Sequence, residues 1–533
     1  MRTTGRMVAA VAIFAIAAAA CTGTSTSPSS SGSASAGGNA TFTYATSTQV
    51  MISWDPSTAY SNEIIAMSNM YETLTRYDSE TQEVVPLLAT SWTSSKDGKS
   101  WSFTLQDGVT FHSGRPMTSA DVKASIERTM ELGQGAAYIW GAVRSIDTPD
   151  DQTVEFTLKY PAPLDLIASA DYAAYIYDTT AAGSKDQEKW FTEGNDAGSG
   201  PYTVDAWNEG QEVELRLKAY PDYWQGWDGA HYDNYVFRVV PTATTSAQLL
   251  RDGQVTFAAR LTPQLYDSFD GQDGFTAASA ASWQTLLALL NTKSGPLADP
   301  TVRQALSYGI DWEGMMVALQ GAATPLSGVI PPGLWGHVDG LEPTYDATKA
   351  ADLLGQAGFG PDGDPLSLTL TYTKGDSDEE LVAALMKSDL AKMNVSVDVR
   401  GLAWPTQWAK GKSEDLTERQ DIFLFYWWPD YADPYSWFIN MFHTEEPPFF
   451  NLSYYSNPWM DKTMQEAQVV SASDREAAIG LYGQMQDQVI QDMPSLSVYT
   501  QQYQRVMLSS VEGYVDNPAY PNVAFAYQLT PGS

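Results

Sequence analysis

The sequence predicts an α/β fold, because segments with two different hydrophobic periods alternate along the chain. Apolar and polar residues alternate at Trp101–Leu105 (WSFTL), which is typical of a strand with one buried face. Thr118–Met130 has helical spacing and begins with hydroxyl residues that can cap a helix. Most informative is a strand at Leu366–Tyr372, followed by a helix at Glu379–Met393 and a strand at Val395–Val399. This spacing predicts two parallel strands joined by a helical crossover.

The first half of the chain adds further predicted elements. Thr41–Ala45 and Glu212–Leu217 alternate between apolar and polar residues, as strands with one buried face do. Between these two strands, Asn62–Thr75 carries apolar residues at helical spacing, so we expect a helix there. The mixture of strands and helices is again that of an α/β protein.

The second half of the chain is richer in predicted helices. We expect helices at Asp299–Ile310, at Ala347–Gly358, whose last residue suits a C-cap, and at Asp474–Asp492. Asp421–Phe425 predicts another strand. Asn291–Pro300 (NTKSGPLADP) is rich in turn-forming residues and predicts a break between structural units. A chain of 533 residues is long enough to form more than one such unit.

The first twenty residues predict a secretory signal peptide. Arg2 and Arg6 give a positive start, and an apolar run from Met7 to Ala20 follows and ends in small residues. The run is too short for a comfortable membrane span. We therefore expect residues 1–20 to direct export and not to belong to the folded body.

Cys21, the only cysteine of the chain, follows three alanines and resembles the acylated cysteine of a bacterial lipobox. The usual leucine three positions earlier is Ala18 here. A single cysteine cannot form an internal disulfide, and a lipid anchor explains its presence in an exported protein. Residues 21–40 are rich in serine, glycine and alanine, which predicts a flexible tether between the anchor and the body.

Composition excludes several classes of function. The formal net charge is −34, and loss of the signal peptide with its two arginines would make it −36. Such a charge argues against binding to nucleic acid or to anionic lipid through basic residues. The four histidines lie far apart, so we expect no metal site and no cofactor. The motifs of phosphate-binding loops, serine hydrolases and zinc proteases do not occur.

A set of short motifs, each weak alone, follows in a fixed order along nearly the whole chain from residue 71. The motifs are YETLTRYD at 71–78, VPLLATSW at 85–92, DGKSWSFTLQDGVTFHSGRPMTSADV at 97–122, KASIERTM at 123–130, GSGPYTV at 198–204, YPDYWQG at 220–226, DPTVRQALSYGID at 299–311, YDATKAADLLGQAGF at 345–359, WPDYADP at 428–434 and QDMPSLSVY at 491–499. In this order they resemble the extracellular solute-binding proteins of peptide and nickel ABC importers, family 5.

The resemblance implies a two-lobed fold of the periplasmic-binding-protein type (type II) with an additional inserted domain. The two lobes would be joined by two chain crossings that act as a hinge, near Leu287–Asn291 and near Ser497–Thr500. The implied boundaries are lobe I at 41–80, 196–287 and 499–533, the inserted domain II at 81–195, and lobe III at 288–498.

The segment FYWWPDYADPYSWF at 425–438, here called the aromatic segment, is the strongest candidate for a binding site. In peptide-binding members of the family, an aspartate of the WPDYADP motif pairs with the α-ammonium group of the ligand, which implies Asp430. A carboxylate in a cleft that excludes water would make such a charge-assisted bond strong. Trp427, Trp428 and Tyr431 could line the pocket, whereas Asp433 is expected to cap a turn or helix.

Other candidate ligand-binding residues are spread along the chain. Dipeptide-binding relatives hold the ligand carboxylate with an arginine, where this chain has only Lys374, which could supply a point charge. Trp54 and Trp408 are candidate walls of the cleft, as are Trp404 and Trp283. Each of these tryptophans could equally be ordinary core.

The resemblance predicts a monomeric lipoprotein, and not an enzyme, that captures a solute outside the membrane and delivers it to the permease of an ABC importer. An oligopeptide is the first expected ligand, an oligosaccharide the second and a nickel chelate the third. An alternative from another class is a secreted glycoside hydrolase, with Asp430 and Asp433 as its carboxyl pair.

Overall fold

The computed structural model describes residues 40–361 and 363–532. The predicted signal peptide at 1–20, Cys21 and the tether up to residue 39 lie outside the described residues. Within the described residues, no helix has both the length and the apolar character needed to cross a membrane.

The strands of the described chain have the following bounds. They are β1 Thr41–Thr46, β2 Thr75–Asp78, β3 Glu83–Pro86, β4 Ala89–Ser94, β5 Ser100–Leu105, β6 Val143–Asp150, β7 Thr153–Leu158, β8 Tyr202–Trp207, β9 Val213–Ala219, β10 Asn234–Val239, β11 Phe257–Ala258, β12 Phe275–Leu290, β13 Ala323–Pro325, β14 Leu366–Thr373, β15 Val395–Leu402, β16 Ile422–Trp427, β17 Ser495–Leu508, β18 Val511–Glu512 and β19 Thr530–Pro531.

The α-helices of the same residues are connected by loops and by three short 3₁₀ turns. They are α1 Ile64–Met67, α2 Ser119–Leu132, α3 Leu164–Ile167, α4 Gln187–Thr192, α5 Ala243–Arg251, α6 Pro263–Asp267, α7 Pro300–Tyr308, α8 Trp312–Leu319, α9 Ala347–Gln356, α10 Ser377–Ala391, α11 Trp404–Gly411, α12 Tyr435–Met441, α13 Pro458–Ser471 and α14 Arg475–Asp492.

One mixed sheet of eleven strands forms the frame of the molecule. Its order is β15-β14-β16-β12-β17-β11-β1-β10-β9-β8, and β13 pairs with β17 off this path. β14 and β15 are parallel, with Leu366 opposite Val395, and α10 connects them. The predicted parallel crossover is therefore confirmed. Asp376 caps α10, because its Oδ1 accepts hydrogen bonds at 3.0 Å from the backbone N–H groups of Asp378 and Glu379.

Two long strands, β12 and β17, connect the two sides of this sheet. They run antiparallel, and their register shifts between Ala281 and Thr285 and again between Leu286 and Leu287. β16 pairs with the last residues of β12, whereas β11 pairs with the last residues of β17. Within the described residues, β14, β15 and β16 are therefore attached at one end of the β12–β17 pair, and β11, β1, β10, β9 and β8 are attached at the other end.

The end of β12 is buried on both faces. Leu286, Ala288 and Leu290 belong to one apolar core, and the alternating Leu287 and Leu289 belong to another. Side chains alternate between the two faces of a strand, so an uninterrupted apolar run (LLALL) fits a strand covered on both sides. The helices α7 and α10 contribute to the first of these cores through Val302 and Met386, among others.

A separate antiparallel sheet, in the order β4-β5-β7-β6, lies within the predicted inserted domain. Phe103 and Phe156 from β5 and β7 and Ile126 from α2 are fully buried. A capping box begins α2, since the side chains of Thr118 and Asp121 both take part in hydrogen bonds with the first-turn backbone. The strand and helix predicted in this region are thereby confirmed.

The helix predicted at Asn62–Thr75 is wrong for most of its length. Only Ile64–Met67 is helical, and the chain then continues as extended and irregular backbone. The carbonyl of Met70 accepts a hydrogen bond from the N–H of Gly200 at 2.9 Å, and Glu72 forms an isolated bridge with Ile176. The segment passes through the interior, so its apolar spacing reflects burial on all sides and not a helical face. The other predicted elements exist, with ends that differ slightly.

Candidate ligand-binding site

The aromatic segment consists of the end of a strand, a loop and the start of a helix. β16 ends at Trp427 and α12 begins at Tyr435, with the two-proline loop between them. Oδ1 of Asp433 accepts a hydrogen bond from the backbone N–H of Tyr435 at 2.8 Å and another from the hydroxyl of Tyr482 at 3.2 Å. Asp433 therefore stabilises the turn at the start of α12, in agreement with the turn-capping role that the sequence predicts.

Asp430 lies in the middle of this loop and is only 7% exposed. Its Oδ2 accepts hydrogen bonds from the hydroxyl groups of Ser436, at 2.9 Å, and of Tyr138. Asn440 holds Tyr138 in turn, because its Nδ2 donates to the tyrosine hydroxyl at 2.7 Å. Among the described residues no cation forms an ion pair with Asp430, and no other residue donates a hydrogen bond to its Oδ1. Oδ2 of Asp430 is thus hydrogen-bonded within the protein, whereas Oδ1 is available to a ligand.

Burial disfavours the charged form of this carboxylate. Desolvation raises the pKa of Asp430 to about 6, and the hydrogen bonds from Tyr138 and Ser436 act in the opposite direction. The pKa of Asp433 is raised to about 6 by the same cause. At neutral pH both groups are ionised, so the loop contains two buried negative charges.

The loop faces residues of the predicted inserted domain. Nε1 of Trp428 donates to the hydroxyl of Tyr172 at 2.9 Å, and the backbone N–H of Asp171 donates to the carbonyl of Asp430 at 3.3 Å. Together with Tyr138, these residues form the opposite wall of the site. Sequence reasoning missed them, because Tyr138 is 292 positions away from Asp430 and lies in no motif that indicates a contact.

The two other aromatic candidates of the segment are buried. Trp427 packs edge to face on Phe450 at 5.1 Å between ring centroids and donates from Nε1 to the hydroxyl of Ser436 at 3.2 Å. Tyr431 is 2% exposed, and its hydroxyl finds no hydrogen-bond partner within the described part of the chain. Trp428, the neighbour of Trp427, is half-buried.

The remaining candidates do not all meet at this loop. Trp408 is half-buried and stacks on Phe425 of β16 at 6.0 Å, so it belongs to the same aromatic cluster. Trp54 is buried against Trp207 at 5.2 Å, in the other half of the sheet. Lys374 is exposed in the turn after β14. The structure therefore joins Trp408 to the aromatic segment and gives Trp54 and Lys374 other surroundings.

Ion pairs connect segments that the sequence assigns to different lobes or to a lobe and the inserted domain. Arg260, which follows β11, pairs with Asp376 at 3.1 Å and also with Asp378, both at the start of α10. Arg475 pairs with Asp165 at 3.1 Å. Arg260 lies near the turn of Lys374 but was not singled out from the sequence, because an isolated arginine after a short strand carries no motif.

The raised pKa of Asp430 predicts how stability depends on pH. Between about pH 4 and 6 the folded chain binds a proton at this site that the unfolded chain has lost, so the site stabilises the fold less as pH rises through 6. Asp430→Asn removes this penalty. We expect the free energy of unfolding of the variant to be about 3 kcal/mol higher than that of the parent at pH 7.5. At pH 4 the two free energies of unfolding should be nearly equal. Urea unfolding followed by circular dichroism at both pH values measures the difference, and equal stability at pH 7.5 would contradict the prediction.

The fold defines a class of protein. Two halves of a sheet joined by one pair of long strands are typical of a two-lobed binding protein. The chain belongs to the bacterial extracellular solute-binding proteins, family 5, whose model (family 5 Middle) matches residues 83–448. It is a solute-binding protein of the kind that serves ABC importers, and this class does not support the glycoside hydrolase alternative.

Curated relatives match along nearly the whole chain. The probable D,D-dipeptide-binding periplasmic protein DdpA of Escherichia coli K12 is 29% identical over 479 residues, which cover 88% of this chain and 90% of that protein. The glutathione-binding protein GsiB of Pectobacterium atrosepticum is 26% identical over 484 residues, which cover 89% and 91% of the two chains. The similarity therefore extends over nearly the whole length of these proteins and is not limited to one domain.

Solved structures confirm the two-lobed fold. The periplasmic binding protein DppA of Helicobacter pylori, in complex with the peptide STSA, aligns with a TM-score of 0.81 at 24% identity and covers 92% of this chain and 98% of its own. NikZ of Campylobacter jejuni, in complex with Ni(L-His), has a TM-score of 0.81 at 21% identity and covers 92% of this chain and 100% of its own. Ligands as different as these share one architecture, so the fold by itself does not name the ligand.

Proposed function

We propose that this protein is a lipid-anchored receptor of an ABC importer that captures an oligopeptide and delivers it to the permease. Cys21 would carry the anchor, and Asp430 would bind the α-ammonium group of the peptide. Relatives that bind a D,D-dipeptide or glutathione, and structural neighbours in complex with peptides, support a ligand of this class.

The observation that carries the proposal is the carboxylate of Asp430. It is buried, its Oδ1 accepts no hydrogen bond from another described residue, and desolvation raises its pKa without a described cation to compensate the charge. A buried charge without a partner costs stability, and an ammonium group supplied by a ligand would remove this cost. Each ammonium proton can donate a hydrogen bond, which suits a carboxylate with one oxygen available.

The aromatic residues favour a peptide over an oligosaccharide. Sugar binding through stacking needs an accessible ring face, whereas Trp427 and Tyr431 are buried in contacts with other protein groups. Trp428 is the more accessible ring, and its Nε1 is occupied by the hydroxyl of Tyr172. In the proposed site the aromatic segment acts mainly as a rigid support for Asp430.

The proposed hinge is the pair of strands β12 and β17. The predicted crossings near Leu287–Asn291 and Ser497–Thr500 overlap the ends of these strands. The register shifts between Ala281 and Leu287 lie where β12 passes from one half of the sheet to the other. Local disruption of the hydrogen-bond ladder allows strands to bend. The ion pair between Arg260 and Asp376 would then help to hold the lobes closed.

The ligand can be identified by native mass spectrometry of the purified full chain in detergent. The bound species is released and fragmented, and the proposal expects peptides with a free N-terminus. N-acetylated copies of the same peptides should not compete for binding, because they lack the ammonium group. Recovery of sugars alone, or equal binding of acetylated peptides, would contradict the proposed ligand and its contact with Asp430.

The proposed lipid anchor has its own test. Cys21→Ser removes the only thiol of the chain, so the variant cannot be acylated at this position. We expect it to move from the membrane fraction to the soluble exported fraction, and we expect the mass of the N-terminal peptide to lack the acyl chains. The matched control is Ser29→Ala in the same predicted tether, which should stay at the membrane. Membrane retention of the Cys21→Ser variant would contradict the anchor.

A further inference from the structure

A cavity of about 520 Å³ lies at the end of β16 that is remote from the aromatic segment. Arg419 lines it and precedes β16 by three residues, whereas Asp430 follows the same strand by three residues. The strand alone separates the two places by about 17 Å, at about 3.3 Å per residue. This cavity is therefore a different place from the proposed peptide site.

Two guanidinium groups line this cavity, and neither pairs with a carboxylate of the described residues. Arg303 donates only to backbone carbonyls within this part of the chain, among them those of Leu297 at 2.7 Å and Met493 at 3.0 Å. Burial lowers the pKa of Arg303, and the nearby charges of Asp492 and Asp299 act in the opposite direction. Its positive charge is held in place but is not neutralised by direct contact.

Arg419 has donors to spare. Its Nε donates to the carbonyl of Ser413 at 2.7 Å, and its guanidinium lies over the ring of Tyr454 at 4.1 Å from the centroid. Its Nη1 is buried without a hydrogen-bond partner, and no described residue accepts a hydrogen bond from its Nη2. An Nη2 that is not fully buried and has no described acceptor can donate a charge-assisted hydrogen bond to a carboxylate or phosphate.

The acidic groups of the cavity are already supplied with donors. Oε2 of Glu445 accepts hydrogen bonds from the backbone N–H groups of Phe449, at 2.6 Å, and of two following residues. Glu446 pairs with Lys293 at 3.0 Å, and Oδ2 of Asp492 accepts hydrogen bonds from Tyr455 and from two amides. The cavity thus has donors left over for a negatively charged acceptor.

We propose that this cavity is a second binding site, for a small molecule that carries an oxyanion, either a carboxylate or a phosphate group. Arg419 would bind the oxyanion through its Nη2, and Arg303 would add a positive charge that no described carboxylate contacts. The cavity falls in the usual volume range of small-molecule sites, about 300–1,000 Å³, so it holds more than a bare ion. A receptor with two such sites could sense one compound while it transports another.

Isothermal titration of the purified full chain in Tris chloride at low ionic strength tests this site, with citrate and orthophosphate as separate probes. Binding of citrate alone indicates a carboxylate site, and binding of orthophosphate indicates a phosphate site. Arg419→Gln should weaken the probe that binds by about tenfold or more, as expected for the loss of a charged hydrogen bond. Arg400→Gln is the matched control, because this exposed arginine pairs with Asp398 at 2.6 Å and should leave binding unchanged.

Two further variants keep the test decisive. Lys293→Gln leaves Glu446 without its cation, and the added net negative charge at the cavity should weaken binding severalfold, which tests the site even if Arg419→Gln fails to fold. Asp430→Asn should bind the probe as the parent does, so failure of the peptide site and failure of this site are distinguishable. The proposal is overturned if neither probe binds the parent chain below about 10 mM, if the folded variants at Arg419 and Lys293 bind as the parent does, or if Asp430→Asn abolishes binding of the probe.

Discussion

Asp430→Asn is expected to lower the affinity for a peptide ligand by about 30- to 5,000-fold, which corresponds to about 2–5 kcal/mol for loss of one partner of a buried charge pair. Asparagine has nearly the same shape as aspartate, so the loop and its contacts with Tyr138 and Ser436 can persist. What the variant loses is the negative charge that would face the ammonium group. Titration with a peptide identified by mass spectrometry measures the effect.

The same charge predicts how peptide binding depends on pH. The carboxylate must be ionised to pair with an ammonium group, and its pKa in the ligand-free protein is about 6. Affinity of the parent chain should therefore fall as pH drops below 6, approaching about tenfold per pH unit, while Asp430→Asn shows no such dependence.

Asp433→Asn is the matched control for this loop. Asp433 is fully buried and its pKa is also raised to about 6, but its Oδ1 accepts hydrogen bonds from the backbone N–H of Tyr435 and the hydroxyl of Tyr482. By the same linkage, the free energy of unfolding of this variant should be higher than that of the parent at pH 7.5, and the variant should keep its affinity for the peptide. If both variants bind the peptide as tightly as the parent chain does, Asp430 is not the ammonium site.

Gly198→Ala is expected to prevent stable folding. A Cβ atom at this position would overlap the carbonyl oxygen of Met70, which belongs to the backbone and cannot rotate away. The two chain segments are held together here, since Gly200 donates to the carbonyl of Met70 at 2.9 Å and Tyr202 to that of Asn69 at 3.0 Å. We expect a loss of about 4 kcal/mol or more in unfolding free energy, measured by urea unfolding.

Gly480→Ala is the control for this substitution. Gly480 lies inside α14, and a Cβ atom there would meet no other atom within 4 Å. Alanine favours the helix by about 0.8–1.0 kcal/mol over glycine, so this variant should be slightly more stable than the parent. Normal stability of Gly198→Ala would mean that the two segments can separate at little cost.

Much of the secondary structure could be predicted, because local periodicity and capping determine it. The unit β14–α10–β15 has alternating strands, an aspartate before the helix and spacing that permits only a crossover, and each of these features is local. The segment Asn62–Thr75 could not be predicted in the same way. Its apolar residues are buried on all sides by chain that comes from more than 100 positions away, so their spacing carried no information about a helix.

The sequence by itself determined the fold class, the family and the candidate carboxylate, since ordered motifs and the proline-bounded loop are written in consecutive residues. Only the tertiary structure decided which groups surround that carboxylate. Tyr138 and Asp171 reach Asp430 from a distant part of the chain, and Arg303 and Arg419 meet around one cavity although 116 positions separate them. The physical reason is that burial, desolvation and the pairing of charges depend on distances in space, which no local pattern of residues records.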